Sequence, residues 1–239
     1  MIQPSTTEPI KPASGRRAAI VDQESLTFPN RTFIQAATSI LLQAGYSVDY
    51  YSGEKVTVDF YRNLPNHGYN LIILRVHSTC GPAFFTSEPY RTTSYDILQL
   101  YSIIGSVSYY SGGPIYFAIP PAFITSYVGS FNNSTVIAMG CFSMESNDMA
   151  EAFIEKGADA YVGWSGSVSA SHTDSATISL LKHLLVDHQT ITEAVDQTMR
   201  DVGADSTYQS VLLSLTAEQA AAEPKQNQEG KRTTHAAPK

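Results

Sequence analysis

Two side chains in this sequence are of the types that acyl transfer uses, and each follows a short apolar run. Cys141 stands in Gly140-Cys141-Phe142-Ser143 after the run Thr135 to Met139, and His77 follows the run Asn70 to Val76. A free thiol near pKa ~8.5 is mostly protonated at neutral pH, so it needs an imidazole that takes its proton or stabilises the thiolate. The two residues are 64 positions apart, so only the fold can bring them together. If both runs are neighbouring strands of one parallel sheet, both side chains project into the crevice beyond the strands' carboxyl ends. Backbone N–H groups of the turns there can hold an oxyanion, which makes Ser78 and Gly140 the candidate positions.

Other residues bear on the same crevice. Asp22 and Glu24 follow the first apolar run, where they either start a turn or border the site. Trp164 ends a later strand and is either core or a pocket wall. His172, in Ser171-His172-Thr173-Asp174, is a second candidate base, but the pattern favours a helix cap shared with Asp174. Cys80 reads as a buried bystander. A Cys80–Cys141 disulfide is conceivable but would consume the nucleophile. Neither cysteine has a second at metal-ligand spacing, so no metal or other cofactor is expected.

The elements that must position these residues read as alternating strands and helices. Ala18 to Val21 is a strand, Phe33 to Ala44 an amphipathic helix closed by Gly45, and Ser47 to Tyr51 a second strand. Val56 to Leu64 is a helical or mixed connection, and Asn70 to Val76 a continuously apolar central strand. Ile103 to Tyr109 and Pro114 to Ile119 form a hairpin over Ser111-Gly112-Gly113, followed by a short helix in Pro120 to Gly129. Phe84 to Tyr95 has no clear period and reads as an irregular loop. Thr135 to Met139 is a strand, a helix starts at Asp148 and is capped near Gly157, and Ala160 to Trp164 is a further strand. Ile191 to Val202 is a helix begun at Thr190 or Thr192 and ended by Gly203, and Tyr208 to Leu215 is a last strand or helix. Residues 1–16 read as a disordered lead or linker, 17–216 as one α/β domain, and 217–239 as a polar, largely disordered tail that begins helical.

Composition narrows the function. The 239 residues carry 15 Lys and Arg against 22 Asp and Glu, for a net charge of −7. That balance lacks the basic clustering a nucleic-acid partner requires. No apolar run is long enough to span a bilayer, and the Met1 end lacks a signal-peptide pattern, so a soluble chain is expected. Only 15% of residues are charged. That composition is closer to exported proteins than to cytosolic enzymes, and the compartment and oligomeric state stay open. Sequons at Asn30, Asn132 and Asn133 permit glycosylation in an exporting host.

At Leu71-Ile72-Ile73-Leu74-Arg75-Val76-His77-Ser78 and Val136-Ile137-Ala138-Met139-Gly140-Cys141-Phe142-Ser143 the chain resembles caspase-like cysteine peptidases, the group of caspases, metacaspases, clostripain and gingipains. Met149 to Ala158 and Tyr161 to Trp164 resemble the helix and strand after a gingipain-type cysteine. The resemblance covers about Arg17 to Leu215. It implies a mostly parallel caspase-like sheet flanked by helices on both faces, with a hairpin insertion between the His and Cys strands. It further implies a cysteine peptidase acting on peptide or protein substrates, with Cys141 as nucleophile and His77 as acid/base. The implied substrate pocket lies in the loop after Trp164, with Ser165 and Ser167, and with Asp22 as an acidic floor that would favour basic P1 residues. The chain departs from the family at Ser78, where a Gly usually follows the His; its Cβ is expected to crowd the substrate carbonyl. Alternatives are an inactive caspase-like binding module and, more distantly, a glutamine amidotransferase. The G-x-C-x-G elbow of the latter is broken by Met139 and Ser143.

Overall fold

The computed structural model describes residues 15–127 and 129–222. Its centre is a six-stranded sheet in the order β10-β9-β8-β3-β1-β2, formed by β1 (Arg17–Asp22), β2 (Ser47–Ser52), β3 (Leu71–Arg75), β8 (Thr135–Ala138), β9 (Ala160–Trp164) and β10 (Leu212–Thr216). All neighbours run parallel except β10, which is antiparallel to β9. The strands at the middle read as unbroken apolar runs because helices or a second sheet cover both faces.

The two-residue side-chain period divides these runs between two cores. Ile20, Leu71, Ile73, Ile137 and Val162 face a core shared with α1 (Arg31–Gln43), α6 (Ala170–Leu185) and α7 (Ile191–Val202), through Phe33, Leu41, Leu180 and Val195. Val21, Ile72, Leu74, Val136 and Tyr161 face the other, with Phe84, Phe117, Phe123, Met149 and Phe153. That second core is closed by α2 (Val58–Asn63), α4 (Pro121–Ser126), α5 (Asp148–Glu155) and a small antiparallel sheet of β4 (Ser78–Thr79), β5 (Ala83–Pro89), β6 (Gly105–Ser108) and β7 (Ile115–Ile119) in the order β4-β5-β7-β6. A short helix, α3 (Asp96–Leu100), precedes β6.

Local sequence sets the helix ends. Asn30 Oδ1 accepts the Phe33 N–H at α1, and Gly45 ends that helix at φ +83°. Thr190 and Glu193 form a reciprocal capping box at α7, whose end is Gly203 at φ +72°. The expected hairpin is present: β6 (Gly105–Ser108) pairs with β7 (Ile115–Ile119), Ser108 opposite Ile115. The first half of the segment expected as an irregular loop is instead a strand, β5 (Ala83–Pro89), paired with β7 and with the two-residue β4 (Ser78–Thr79). Phe84, Phe85 and Thr86 are buried in succession there, so no alternation marks the strand. The Thr86 hydroxyl is accommodated by donating to the Phe117 carbonyl at 2.9 Å. The tail, expected to begin as a helix at Ala217, opens with α8 (Ala217–Ala222). Residues 1–14 of the expected lead and 223–239 of the tail lie outside the described residues.

Candidate active site

The third and fourth parallel strands in chain order, β3 and β8, are adjacent, with Leu74 opposite Ala138. The turns that follow these strands, one carrying His77 and the other Cys141, therefore leave the sheet at the same carboxyl edge. Gly140 makes the approach possible. A Cβ there would run into the Val76 carbonyl and the Ser78 hydroxyl, so no larger residue fits between the two chain turns. The Ser78 hydroxyl donates to the carbonyl of Cys141 and ties the turns together. A second tie comes from Glu145, which accepts from the Cys80 thiol at 3.3 Å and the Gly81 N–H at 3.1 Å. Cys80 is exposed rather than buried, and both cysteines are free. Phe142, the residue after Cys141, holds a left-handed φ of +56°. For a bulky residue that is a strained conformation of the sort found at functional turns. Its N–H is occupied by the Gly166 carbonyl at 2.8 Å and is not an oxyanion donor.

His77 is partly exposed within an aromatic wall. Its ring lies 5.0 Å from Tyr109, 5.7 Å from Phe85 and 5.9 Å from Phe28 between centroids. Nε2 is 2.8 Å from the Thr27 hydroxyl, and Nδ1 is 4.0 Å from Glu24 Oε1. The Gln23 amide oxygen accepts the His77 backbone N–H at 3.1 Å. Desolvation, with the positive charge of Arg75 behind it, lowers the imidazole to about 4, so the ring is neutral at pH 7. The Cys141 thiol is half-buried. Its sulfur accepts the Val168 N–H at 3.4 Å and donates to the Val168 carbonyl at 3.5 Å. Burial pushes the thiol up, and the charge on Glu24 adds to the rise, opposed by the Val168 backbone. The resting pair is therefore a thiol and a neutral imidazole. That state holds no preformed thiolate–imidazolium pair, and an imidazole this weakly basic must gain basicity on binding substrate to take a proton from the thiol.

Beneath the pair lies a buried charge cluster. The Arg75 guanidinium bonds Asp22 at 2.8 Å, Asp174 at 2.8 and 3.1 Å and the Phe28 carbonyl at 2.9 Å. Asp174 also takes a bond from Asn30, and Asp22 one from the Tyr50 hydroxyl. One buried guanidinium thus joins β1, β3, α6 and the start of α1. Glu24 is the third carboxylate, 3.6 Å from Arg75, with Oε2 lacking a hydrogen-bond partner. Burial first, then the other carboxylates against Arg75, raises it to about 7. Position alone hinted at Glu24, since it follows β1; its environment comes from burial among Arg75, Asp22 and Asp174, which belong to three different elements.

The remaining candidates are distributed as follows. Trp164 is 1% exposed, its indole N–H donating to Thr173 Oγ1 at 2.9 Å, so it belongs to the core and not to a pocket wall. Asp22 is committed to Arg75 and Tyr50 in the interior, so its carboxylate is not a free acidic floor. Helix α6 begins at Ala170 with Ser169 at its N-cap position. His172 instead bonds the Gly203 carbonyl at 3.2 Å and packs on Trp164, while Asp174 serves Arg75; neither caps the helix. Ser165 and Ser167 are partly exposed beside Val168, in the loop that touches the thiol. Among the described residues, no group of three His, Cys, Asp or Glu side chains is arranged to hold a metal ion. No helix among them is long and apolar enough to cross a membrane.

No protein-family model matches the chain, and no curated protein matches it. Among solved structures, gingipain R, an Arg specific cysteine proteinase, is similar to it at a TM-score of 0.48 and 12% identity. The match covers 78% of this chain and 42% of that one, so the chain spans less than half the length of that protein.

Proposed function

We propose that the chain is a cysteine peptidase in which Cys141 is the nucleophile, His77 the acid/base and Glu24 the group that orients and tunes the imidazole. The observation that carries this reading is the register of β3 and β8, which sets the two turns side by side. In the reaction, the neutral imidazole takes the thiol proton as Sγ attacks the scissile carbonyl. The resulting imidazolium, favoured by an ionised Glu24, returns the proton to the leaving amine. Water then attacks the thioester, with His77 again as base, and the acid product and free thiol are released. The oxyanion is assigned to backbone N–H groups of the turns at Ser78 and Gly140. The loop carrying Ser165 and Ser167 is assigned to the substrate. Because Asp22 is already paired, selectivity for a basic P1 residue would have to come from another carboxylate.

A screen of fluorogenic peptides tests the reading. Turnover by the wild type, lost in Cys141→Ala and in His77→Ala, is the expected result; turnover that survives Cys141→Ala overturns it. One observation favours a second reading, a binding module without turnover. The imidazole bonds Thr27 and the thiol bonds Val168, each with a neighbour in place of the other. Peptides that bind the wild type but are never cleaved would support that reading.

A further inference from the structure

Besides the backbone of its own residue, the sulfur of Cys141 meets the amide of Val168 across the loop, and both neighbours of Val168 are fixed from a distant part of the chain. On one side, the Ser167 carbonyl accepts the Ser210 hydroxyl at 2.5 Å. On the other, Ser169 gives both its N–H, at 2.9 Å, and its hydroxyl, at 2.6 Å, to Asp205 Oδ2. Asp205 Oδ1 takes the N–H groups of Thr207 and Tyr208, each at 2.9 Å. The same segment bonds the loop again at Ser165, whose N–H donates to Val211 and whose hydroxyl accepts from it, both at 3.0 Å. Asp205 itself is fully buried. A carboxylate with four donors on it is strongly held as the anion and cannot easily move.

We propose that Asp205 is a positioning residue for the nucleophile: through Ser169 it holds the Val168 N–H against Cys141 Sγ, where that amide stabilises the sulfur as it loses its proton. A donor on the charged form favours that form, and a donor held in place gives more than one that must be recruited. Two charged groups act on this sulfur from the surrounding elements, Glu24 after β1 and Asp205 after α7, and the proposed base His77 follows β3 at the same edge of the sheet. The charge on Asp205 acts on the thiol in the opposite sense to the amide it positions, since a nearby anion disfavours the thiolate. The two roles therefore predict opposite signs.

The consequence for catalysis rests on the peptidase reading, but the test does not, because alkylation needs no turnover. In a Cys80→Ser background, the rate of iodoacetamide alkylation of Cys141 is followed against pH for the parent, Asp205→Asn and Ser169→Ala, with thermal melts to confirm folding. The expected result is that Asp205→Asn moves the midpoint up by about one pH unit, making alkylation near neutral pH roughly tenfold slower. Ser169→Ala, which keeps the charge and loses one bond to it, should shift the midpoint in the same direction and by less. It also serves alone if Asp205→Asn does not fold. A midpoint that falls in Asp205→Asn, or stays fixed in both variants, overturns the proposal and leaves Asp205 as a charge or a loop staple only.

Discussion

The unusual feature of the site at the residue scale is a carboxyl that titrates near neutrality beside a histidine that does not. Glu24 is raised from 4.5 to about 7 by burial, while His77 falls from 6.5 to about 4. Between pH ~4.5 and ~7 the folded chain binds a proton at Glu24 that the unfolded chain has released. That contribution to stability is complete below ~4.5 and is lost as the pH rises through ~7. His77 has the opposite sign, contributing above ~6.5 and losing its contribution as the pH falls toward ~4. Glu24→Gln should therefore gain stability relative to wild type as the pH is raised from 5 to 8. The difference is on the order of 3 kcal/mol, measured by urea denaturation at each pH. A flat difference would mean that Glu24 titrates normally.

Two neighbouring residues give separate tests. Asp22→Ala removes a partner of a buried guanidinium and should cost roughly 3–5 kcal/mol in denaturation, with the P1 profile of any peptidase activity unchanged. A changed P1 profile in a folded Asp22 variant would restore it to the substrate pocket. Ser78→Gly trades the hydroxyl bond to the Cys141 carbonyl for open space. One such bond is worth about 1 kcal/mol of stability, read by urea denaturation, and kcat should fall as the turn carrying Cys141 loosens. A rise in kcat would show instead that the Ser78 Cβ had been obstructing the carbonyl.

At the element scale, the packing of α6 on α7 is held at the surface by one imidazole between two carboxylates. His183 Nδ1 is 2.7 Å from Asp187 and Nε2 is 2.7 Å from Asp201. The bond to Asp201 is the main reason its pKa is raised. This clamp is complete at pH below ~6.5 and is lost as the pH rises through the raised value. His183→Ala should lower Tm more at pH 6 than at pH 9, and an equal loss at both would assign the effect to packing alone.

The elements also differ in how plainly the sequence declares them. β1, β3, β8 and β9 are legible because both of their faces are buried, and the β6–β7 hairpin because Ser111-Gly112-Gly113 marks its turn. β5 is not, because Phe84, Phe85 and Thr86 are buried consecutively and a polar residue in the core is tolerated only through its bond to Phe117. Cys141 and His77 could be picked out as strand ends. The contexts of Asp22, Asp174 and Asp205 could not, since each depends on a partner far away in the chain: Arg75 for the first two and Ser169 for Asp205. That of Trp164 depends on Thr173, only nine residues on, which the turn into α6 brings back to the indole.

For the whole molecule, the sheet brings four chain segments to one edge: the turn after β1 with Glu24, the turn after β3 with His77, the turn after β8 with Cys141, and the loop after β9 with Val168. Parallel strands put all four at their carboxyl ends, which is where such sheets place their ligands. The central claim is that Cys141 is a nucleophile served by His77, and the most direct measurement is covalent trapping by a peptidyl acyloxymethyl ketone, with the adduct located by mass spectrometry. The account predicts a single adduct at Cys141, none at the exposed Cys80, and labelling slowed roughly 10²-fold or more in folded His77→Ala. An adduct at Cys80, or labelling of Cys141 that is indifferent to His77, would contradict it.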